Sequence, residues 1–464
     1  MKLKFNAANA IVVSLLAVQL SQYATAKAWE SAGGKEDEMV FVLTGDSIIN
    51  RRLSTINQPK IDKMFDVIRG ADAAYTNFET LIHDFDYPPA QQSGGTYMGS
   101  PRYVVDELEW AGFDMVSLAN NHTGDYGVEG QRSTLKALKE TDLIYAGVGE
   151  NLALARKPGY LDTKKGRVAM ISLSTTFPNA SVAGPQRKDL RGRPGLNPLR
   201  HTVTYTVPQA TFDTLSELSG GPVNAQMAAF RGVPGGSVYF GGATYQVGDE
   251  VSKITKPNER DMKELLASIR DAKQQADWIV VAGHHHESLE LDNRDQPAAF
   301  YVEFAHAAID AGADVVVSHG HHMLRGVEVY NGKPIFYSLG DFIFENDLVD
   351  MQPADNYDKV ALDGDALPSD YYSKRSKNDT VGFPADRRYW QSAVTEVVYS
   401  LDGTLKEVRM HPISLGFGNK RTKRGQPYPA PKEEADQIIE DLKRVSEPFG
   451  TKFKYSKGLI TVTP

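Results

Sequence analysis

Histidines lie in three short clusters, and these clusters carry most of the chemistry that the sequence offers. Seven of the eleven histidines belong to them: His122, three in residues 284–286 and three in residues 319–322. Each cluster follows an apolar run that is typical of a buried strand. Neutral imidazole is a common ligand of transition metals, so the clusters predict a metal site.

The spacing inside the second cluster predicts which of its histidines share an ion. In an extended segment, alternate side chains point to the same face. We therefore expect His284 and His286 to reach one centre together, and His285 to face away as a solvated histidine.

The third cluster allows two pairings. The same alternation pairs His319 with His321, whereas a turn after Gly320 would bring in His322 instead. The spacing alone leaves both pairings open.

Three oxygen-bearing residues extend the candidate ligand set. Asp46, Glu79 and Asn121 each follow an apolar run of their own. Mixed nitrogen and oxygen ligands suit manganese, zinc or iron. A carboxylate is suited to bridging two cations, and paired metals stabilise the attacking and leaving oxygens of phosphoester hydrolysis. We therefore expect one or two divalent metal ions.

Arginines offer contacts for an anionic substrate. The basic segment 185–201 contains Arg193 and Arg200, and Arg325 follows the third histidine cluster by three residues. Arginine makes bidentate contacts with carboxylates and phosphates, which makes these three residues candidates for substrate binding. The alternative for each of them is an ordinary surface ion pair.

A repeated unit positions the polar clusters. It runs from an amphipathic helix, usually through a glycine and an aspartate, to an apolar strand that ends in polar residues. Ser100 is the predicted N-cap of the second helix. Helices alternating with buried strands predict an α/β fold with substantial parallel sheet, whose strand ends meet at one edge. The helices are predicted near 61–68, 101–112, 259–275 and 297–312, and the strands over 73–76, 114–118, 278–282 and 315–317.

The composition excludes several classes of function. The 464 residues carry a formal net charge of −8, whereas a nucleic-acid partner would require a basic excess. The chain has no cysteine, which excludes disulfides, Cys-ligated zinc and cysteine nucleophiles. Residues 1–26 combine a basic start, an apolar core and an Ala-Thr-Ala site, which predicts a cleaved signal peptide and export to the periplasm or the extracellular space. No later stretch is apolar enough to span a membrane, so the mature chain is not expected to be transmembrane.

The order of these motifs resembles two related groups of proteins. Gly45-Asp46 and the histidine clusters are similar to motifs of the calcineurin-like metallophosphoesterases. Longer stretches resemble the CapA family of poly-γ-glutamate capsule synthesis proteins: NFE (77–79), SLANNHTGDYG (117–127) and GADVVVSHGHHMLRGVEVYNGKPIFYSLGDF (312–342). Two positions depart from these patterns. Ile48 stands where the phosphoesterases have a histidine, and Asp341 stands where CapA proteins usually have asparagine.

The resemblance implies a fold, a metal site and an acid. The implied fold is the calcineurin-like α/β architecture, a four-layer αββα sandwich with two packed mixed sheets. His122 takes the place of a general acid or phosphate contact. Metal ligation is implied for Asp46, Glu79, Asn121, His284, His286, His319, and His321 or His322.

The resulting prediction is a CapA-type metallophosphoesterase-like domain over 39–415. It carries irregular insertions near 176–256 and 346–388, and a C-terminal helix and strands over 416–464 pack on it. The implied function is that of an exported capsule or poly-γ-glutamate synthesis protein with a metal-dependent phosphoesterase-like hydrolase site. Its expected partners are an anionic polymer or phosphoester substrate and capsule-synthesis membrane proteins. The alternative is a non-catalytic polymer-binding or assembly component of polyglutamate synthesis or export.

Overall fold

The computed structural model describes residues 29, 31, 33–56, 59–231, 233–290 and 293–463, so the predicted signal peptide over 1–26 lies outside the described residues. The strands are β1 (Glu38–Ile48), β2 (Ala73–Phe78), β3 (Met115–Ser117), β4 (Ile144–Ala146), β5 (Val148–Gly149), β6 (Gly159–Thr163), β7 (Gly166–Ser174), β8 (Gly195–Leu196), β9 (His201–Val207), β10 (Val238–Phe240), β11 (Ala243–Val247), β12 (Ser252–Pro257), β13 (Trp278–His285), β14 (Val315–Gly320), β15 (Val327–Tyr330), β16 (Lys333–Phe336), β17 (Asp341–Phe344), β18 (Gln391–Ser400), β19 (Leu405–Ser414), β20 (Tyr428–Pro429), β21 (Lys452–Ser456) and β22 (Leu459–Thr463). The α-helices are α1 (Pro59–Arg69), α2 (Tyr103–Ala111), α3 (Gly127–Leu138), α4 (Leu152–Ala155), α5 (Gln209–Ser219), α6 (Ala225–Arg231), α7 (Glu259–Lys273), α8 (Ala299–Asp310), α9 (Ala354–Lys359), α10 (Pro368–Arg375) and α11 (Lys432–Ser446).

The larger sheet is built around β1. Its strand order is β21-β22-β19-β18-β1-β2-β3-β4. The strands from β1 to β4 are parallel, and β18 runs antiparallel to β1. The short strand β17 pairs in parallel with the last residues of β1, from Asp46 to Ile48. Every residue of β1 is buried, as expected for a central strand.

The smaller sheet has the order β15-β16-β14-β13-β7-β6. Its four inner strands β16, β14, β13 and β7 are parallel, and the two outer strands pair antiparallel with their neighbours. The predicted α/β class with substantial parallel sheet is therefore confirmed. The carboxyl ends of β13 and β14 deliver the second and third histidine clusters.

The two sheets pack against each other through one hydrophobic cluster. It contains Phe41 and Tyr75 from the larger sheet and Met170, Val280 and Val315 from the smaller one. Helices α1 and α2 pack on the other face of the larger sheet, and α7 and α8 pack on the other face of the smaller sheet. Among the described residues, none of the helices is both long enough and apolar enough to cross a membrane.

Helix α2 begins without the predicted cap. The Ser100 hydroxyl lies 2.7 Å from the Thr80 hydroxyl and donates to Asn50 Oδ1 at 3.2 Å. The helix starts only at Tyr103, with no side-chain cap, so the prediction that Ser100 is its N-cap was wrong. The helix end is as predicted, because Gly112 has a left-handed φ of 100°.

Both insertions contain regular structure that the sequence pattern did not reveal. Residues 201–257 include a four-stranded sheet in the order β10-β11-β9-β12. Residues 346–388 contain α9 and α10. After the second insertion, β22 pairs with β19 and so extends the larger sheet, while α11 buries Ile438 and Leu442 between the two sheets.

Candidate metal centre

Three carboxylates of the larger sheet meet at the carboxyl end of β1. This strand lies between β2 and β17, and Asp46 is level with Asn77 on one side and with Asp341 on the other. Glu79 follows the last residue of β2. All three carboxylates are buried.

The smaller sheet brings histidines to the same place. His284 on β13 is level with His319 on β14. His286 follows β13, and its Nε2 lies 3.2 Å from His284 Nε2. His322 has a left-handed φ of 65°, and its Nδ1 lies 2.8 Å from Asp341 Oδ1. The chain therefore turns after β14 so that His322, together with His319, lies at the carboxylates.

These side chains form overlapping groups with the donor atoms that a cation requires. Within each group, the candidate ligand atoms lie within 4.8 Å of one another. Because Asp46, Glu79 and His284 each occur in two groups, we treat all of them as one metal cluster. The groups among the described residues are Asp46, His284 and His319; Glu79, His284 and His286; and Asp46, Glu79, His322 and Asp341.

The protonation preferences of the cluster fit a bound cation. Neither carboxylate oxygen of Glu79 has a hydrogen-bond partner among the described residues. Burial raises the pKa of Glu79 well above its usual value, and Asp46 and Asp341 raise it further. Burial also lowers the pKa of His284 and of His286 well below the usual range, which favours the neutral, metal-binding form. A divalent ion would satisfy both the carboxylate and the imidazole lone pairs.

The other two carboxylates differ in their proton affinity. Burial raises the pKa of Asp341 to about 7, although the adjacent His322 acts to lower it. Burial also acts to raise the pKa of Asp46, but the charges of His319 and His322 and the hydrogen bonds from His319 and Asn77 together lower it below its usual value. Without an ion, ionisation of Asp46 is therefore favoured over ionisation of Asp341 and Glu79.

A buried hydrogen-bond network orients Asp46 and His319. Asn77 Nδ2 donates to Asp46 Oδ1 at 2.7 Å, and the Gly320 backbone N–H donates to Oδ2 at 2.8 Å. The Tyr75 hydroxyl lies 2.8 Å from His319 Nε2. Such partners hold metal ligands in position. Asn77 and Tyr75 were not predicted as site residues; Asn77 is visible in the NFE motif, whereas Tyr75 looks like any apolar strand residue.

His122 lies beside the cluster and is held by a carboxylate. Its Nδ1 donates to Asp125 Oδ2 at 2.7 Å, and its Nε2 lies 3.7 Å from Glu79 Oε1. Asp125 thus orients the ring so that Nε2 faces the metal cluster. Asp125 was not among the predicted site residues, although it follows His122 by three positions in the same motif.

Asn121 directly precedes His122 in the chain and contacts the segment around Gly94. Its Nδ2 donates to the Gly94 carbonyl at 3.1 Å, and its Oδ1 is buried without a partner among the described residues. It lines a cavity of about 470 Å³ together with Thr176 and Phe177. The unpartnered oxygen is therefore free to contact an ion or a substrate.

Two histidines of the clusters point away from the carboxylates. His285 is buried rather than solvated: its ring stacks on Tyr301 at 3.8 Å and its Nε2 donates to the Tyr337 carbonyl at 3.0 Å. The prediction of a solvated His285 was therefore wrong, because the face behind β13 is covered by α8. His321 is also buried, and burial together with the Arg325 charge lowers its pKa well below the usual range. It belongs to none of the groups that form the metal cluster.

Arg325 is buried behind the cluster. Its Nε donates to the Arg294 carbonyl at 2.8 Å, and its Nη1 donates to the Glu287 carbonyl at 3.0 Å. Burial lowers the pKa of Arg325 to about 9. These contacts fix the loop between β13 and α8.

The two arginines of the basic segment have partners outside the cluster. Arg200 Nε binds Asp261 Oδ2 at 2.7 Å, on α7. Arg193 Nε donates to the Val182 carbonyl at 3.0 Å. The structure therefore brings neither residue into contact with the metal cluster.

Comparisons with known proteins connect the site with one family. The model of the bacterial capsule synthesis protein family PGA_cap matches residues 40–346, a range that contains the whole metal cluster. The uncharacterised protein y4sH of Sinorhizobium fredii is 35% identical over 433 residues, which cover 90% of this chain and 91% of that protein. The capsule biosynthesis protein CapA of Bacillus anthracis is 27% identical over 348 residues, which cover 72% of this chain and 68% of that protein. The PGA biosynthesis protein CapA of Bacillus subtilis is 25% identical over 316 residues, which cover 67% of this chain and 64% of that protein.

Proposed function

The chain belongs to the bacterial capsule synthesis protein family PGA_cap, and from this we propose that its metal cluster is a phosphoesterase-like hydrolase site. The CapA-like character of the chain links it to capsule or poly-γ-glutamate synthesis. The proposed substrate is a phosphoester or a related anionic group. The proposed metals are manganese, zinc or iron, in one or two positions.

The buried carboxylate of Glu79 carries this proposal. A carboxylate without a hydrogen-bond partner is costly to bury, and three histidines and two further carboxylates surround it. Asp46, Glu79 and Asp341 would hold the ion from the larger sheet. His284, His286, His319 and His322 would hold it from the smaller sheet. When bound, such an ion supplies Lewis-acid polarisation of a phosphoryl oxygen.

His122 supports hydrolysis as the proton donor. With Nδ1–H held by Asp125, its Nε2 is the nitrogen that faces the cluster. In the protonated ring, Nε2 donates a proton to the leaving oxygen of the ester. The Asp125 carboxylate stabilises the positive charge of that ring. Asn121 is a candidate further ligand through its unpartnered oxygen.

The architecture is consistent with the same superfamily. We infer that the two packed sheets with helices on their outer faces correspond to the αββα sandwich of the calcineurin-like metallophosphoesterases. The position of the cluster supports this inference, since its ligands come from strand ends of both sheets, where open α/β sheets bind ligands.

The proposal extends to the cellular context. Residues 1–26 would direct export to the periplasm or the extracellular space. Residues 39–415 would form the CapA-type domain, with 416–464 packed on it. Capsule-synthesis membrane proteins and an anionic polymer are the proposed partners there.

One observation favours a second function. The Ile48 side chain lies in the hydrophobic core under β1, so the position where phosphoesterases carry a histidine supplies no ligand. A centre with one ligand fewer would also suit a non-catalytic component that binds polyglutamate or assembles the synthesis machinery.

Both functions can be separated with metal-loaded protein. The test measures metal content and hydrolysis of a panel of phosphomonoesters and phosphodiesters for wild type, Asp46→Ala and His122→Ala. Asp106→Ala on the exposed face of α2 is the matched control. We expect Asp46→Ala to lose metal and hydrolysis, His122→Ala to lose hydrolysis alone, and the control to retain both.

Two results would contradict the hydrolase proposal. One is hydrolysis that stays at the wild-type rate in Asp46→Ala. The other is metal-loaded wild type that hydrolyses no member of the panel while the metal-free protein binds polyglutamate normally, which would favour the non-catalytic function.

A further inference from the structure

A second cavity begins one aromatic ring away from the metal cluster. It has a volume of about 270 Å³. Phe344 and Phe383 line it, and their ring centroids lie 5.2 Å and 5.3 Å from that of His322. A molecule held at the metal cluster therefore has this cavity as its neighbour. The insertion that begins at residue 346 supplies much of the lining.

Two arginines bring positive charge to the cavity. Arg294 and Arg375 both line it. Arg294 donates to the Tyr389 hydroxyl and Arg375 to the Thr96 hydroxyl. Among the described residues, neither guanidinium forms an ion pair. Their remaining donors are available for an anion.

The acidic residues of the cavity do not cancel this charge, because other arginines bind them. Asp347 and Asp379 both pair with Arg424, and Arg421 pairs with Asp347 at 3.3 Å. Arg421 and Arg424 stand outside the lining and neutralise its two aspartates, so Arg294 and Arg375 remain as an excess of positive charge in the lining. Such an excess favours an anionic ligand.

Half of the uncharged lining residues are aromatic. The guanidinium carbon of Arg375 lies 5.9 Å from the centre of the Phe383 ring, and that of Arg294 lies 5.8 Å from the centre of the Tyr389 ring. Trp390 completes this wall. Aromatic faces accept apolar and planar groups as well as cations. The volume is slightly below the roughly 300–1,000 Å³ of common ligand pockets, so it suits a small group rather than a length of polymer.

We propose that Arg294 and Arg375 bind a second anionic group of the substrate, a carboxylate or a phosphate carried on an apolar group, in this cavity. That the bound molecule is the substrate rests on the proposed hydrolase function; the binding itself does not. Arg294 and Arg375 are then specificity-determining residues, since they select molecules with an anion at this distance from the reacting ester.

Isothermal titration calorimetry of metal-loaded protein with benzoate, phenylphosphonate and phenol tests the proposal, since none of the three carries an ester that the protein could hydrolyse. We expect both anions to bind, and phenol to bind at least about tenfold more weakly because it lacks the charge. Arg294→Gln and Arg375→Gln should each weaken anion binding about tenfold and leave the metal content unchanged. Arg132→Gln, which removes an exposed ion pair with Glu150, is the control and should bind like wild type. Tighter binding of benzoate would identify a carboxylate as the natural group, and tighter binding of phenylphosphonate would identify a phosphate.

Arg294 is exposed whereas Arg375 is partly buried, so Arg294→Gln disturbs the packing of the protein less than Arg375→Gln does. Unchanged binding of both anions in Arg294→Gln and Arg375→Gln would overturn the proposal, and so would phenol that binds as tightly as benzoate. Loss of benzoate binding in Asp46→Ala would place the anion at the metal cluster and also overturn it. Because the titration requires no turnover, a protein that hydrolyses nothing still gives a clear result here.

Discussion

Glu79 is the residue whose state depends most on a bound ion. Folding raises its pKa above the ordinary value of 4.5, so above that pH the folded metal-free protein holds more protons on this group than the unfolded chain does. The contribution of Glu79 to the free energy of unfolding therefore decreases as pH rises from 4.5 towards the pKa of this group in the folded state. Glu79→Gln removes this contribution. We expect the metal-free variant to be more stable than wild type near neutral pH by on the order of 1–3 kcal/mol, and the difference to shrink in mildly acidic buffer.

Urea unfolding of chelator-treated protein at both pH values measures this difference. Glu440→Gln on the exposed face of α11 is the control and should show no pH-dependent gain. Added Mn²⁺ should stabilise wild type more than Glu79→Gln, because the variant has lost a charged ligand. A metal-free variant that is less stable than wild type near neutral pH would contradict the unpartnered state of this carboxylate.

In the proposed hydrolysis, Asp125 would act through His122, whose Nδ1 donates to its carboxylate. Asparagine at this position would remove the negative charge beside Nδ1 and would allow the neutral tautomer that carries its proton on Nε2. We expect Asp125→Asn to lower kcat about 100-fold while the metal content stays at the wild-type level. Asp125 also accepts the Met98 backbone N–H at 2.9 Å, so the melting temperature must be measured alongside the rate.

The matched control for this variant is Asp106→Asn, which removes a surface charge of α2. A kcat equal to that of wild type in Asp125→Asn would show that the orientation of His122 does not matter. A loss of bound metal would assign Asp125 to the metal cluster instead.

At the scale of the elements, the close approach of β1 and β17 brings Asp46 and Asp341 together. Gly45 permits it, because a Cβ at this position would lie 1.9 Å from the Gly340 carbonyl oxygen. The oxygen is a backbone atom and the Cβ is attached rigidly to the backbone, so the two segments must separate to relieve the overlap. We expect Gly45→Ala to destabilise the protein by about 1–3 kcal/mol and to weaken metal binding.

Gly364→Ala is the matched control, because no heavy atom lies within 4 Å of the added Cβ. Thermal unfolding and metal titration of both variants give the comparison. Wild-type metal affinity in Gly45→Ala would show that the cluster tolerates a shift of β1 against β17.

Elements and strand ends were predictable from the sequence because their signals are local. Apolar runs end within a few residues of Asp46, Glu79 and the histidine clusters, and parallel strands share one edge. The choice between His321 and His322 was not predictable, because it depends on the backbone turn at His322, with its φ of 65°. His285 was misjudged for a related reason. Alternation correctly predicts that it points away, but only the packing of α8 shows that this side is buried.

At the scale of the whole molecule, the sequence does not predict the sites that are formed by segments far apart in the chain. The cavity beside the cluster joins Arg294, from the loop before α8, with Arg375, from α10 in the second insertion. Neither segment has a periodic pattern that indicates its neighbour. Arg325 showed the reverse: its closeness to His322 in sequence suggested a substrate contact, whereas it is bound to the carbonyls of Arg294 and Glu287.

The metal cluster contains side chains from both sheets, so a bound ion would couple the unfolding of the two sheets. Asp46, Glu79 and Asp341 come from the larger sheet, while His284 and His319 come from the smaller one. An ion bound by both sets stabilises only the state in which the sheets are packed together. At an ion concentration about 100 times the dissociation constant, the added free energy of unfolding is about 2.7 kcal/mol. We therefore expect Mn²⁺ to raise the melting temperature by several degrees in a single transition.

Calorimetry of wild type and His284→Ala, each with and without Mn²⁺, measures this link. His284 belongs to two of the ligand groups, so its variant should lose most of the stabilisation by the ion. His306→Ala, on α8 and outside the cluster, is the control and should be stabilised like wild type. If Mn²⁺ instead splits the unfolding of wild type into two transitions, the ion is held by one sheet alone. That result would contradict a centre shared between the sheets, because an ion bridging them makes the unfolding of one sheet depend on the other.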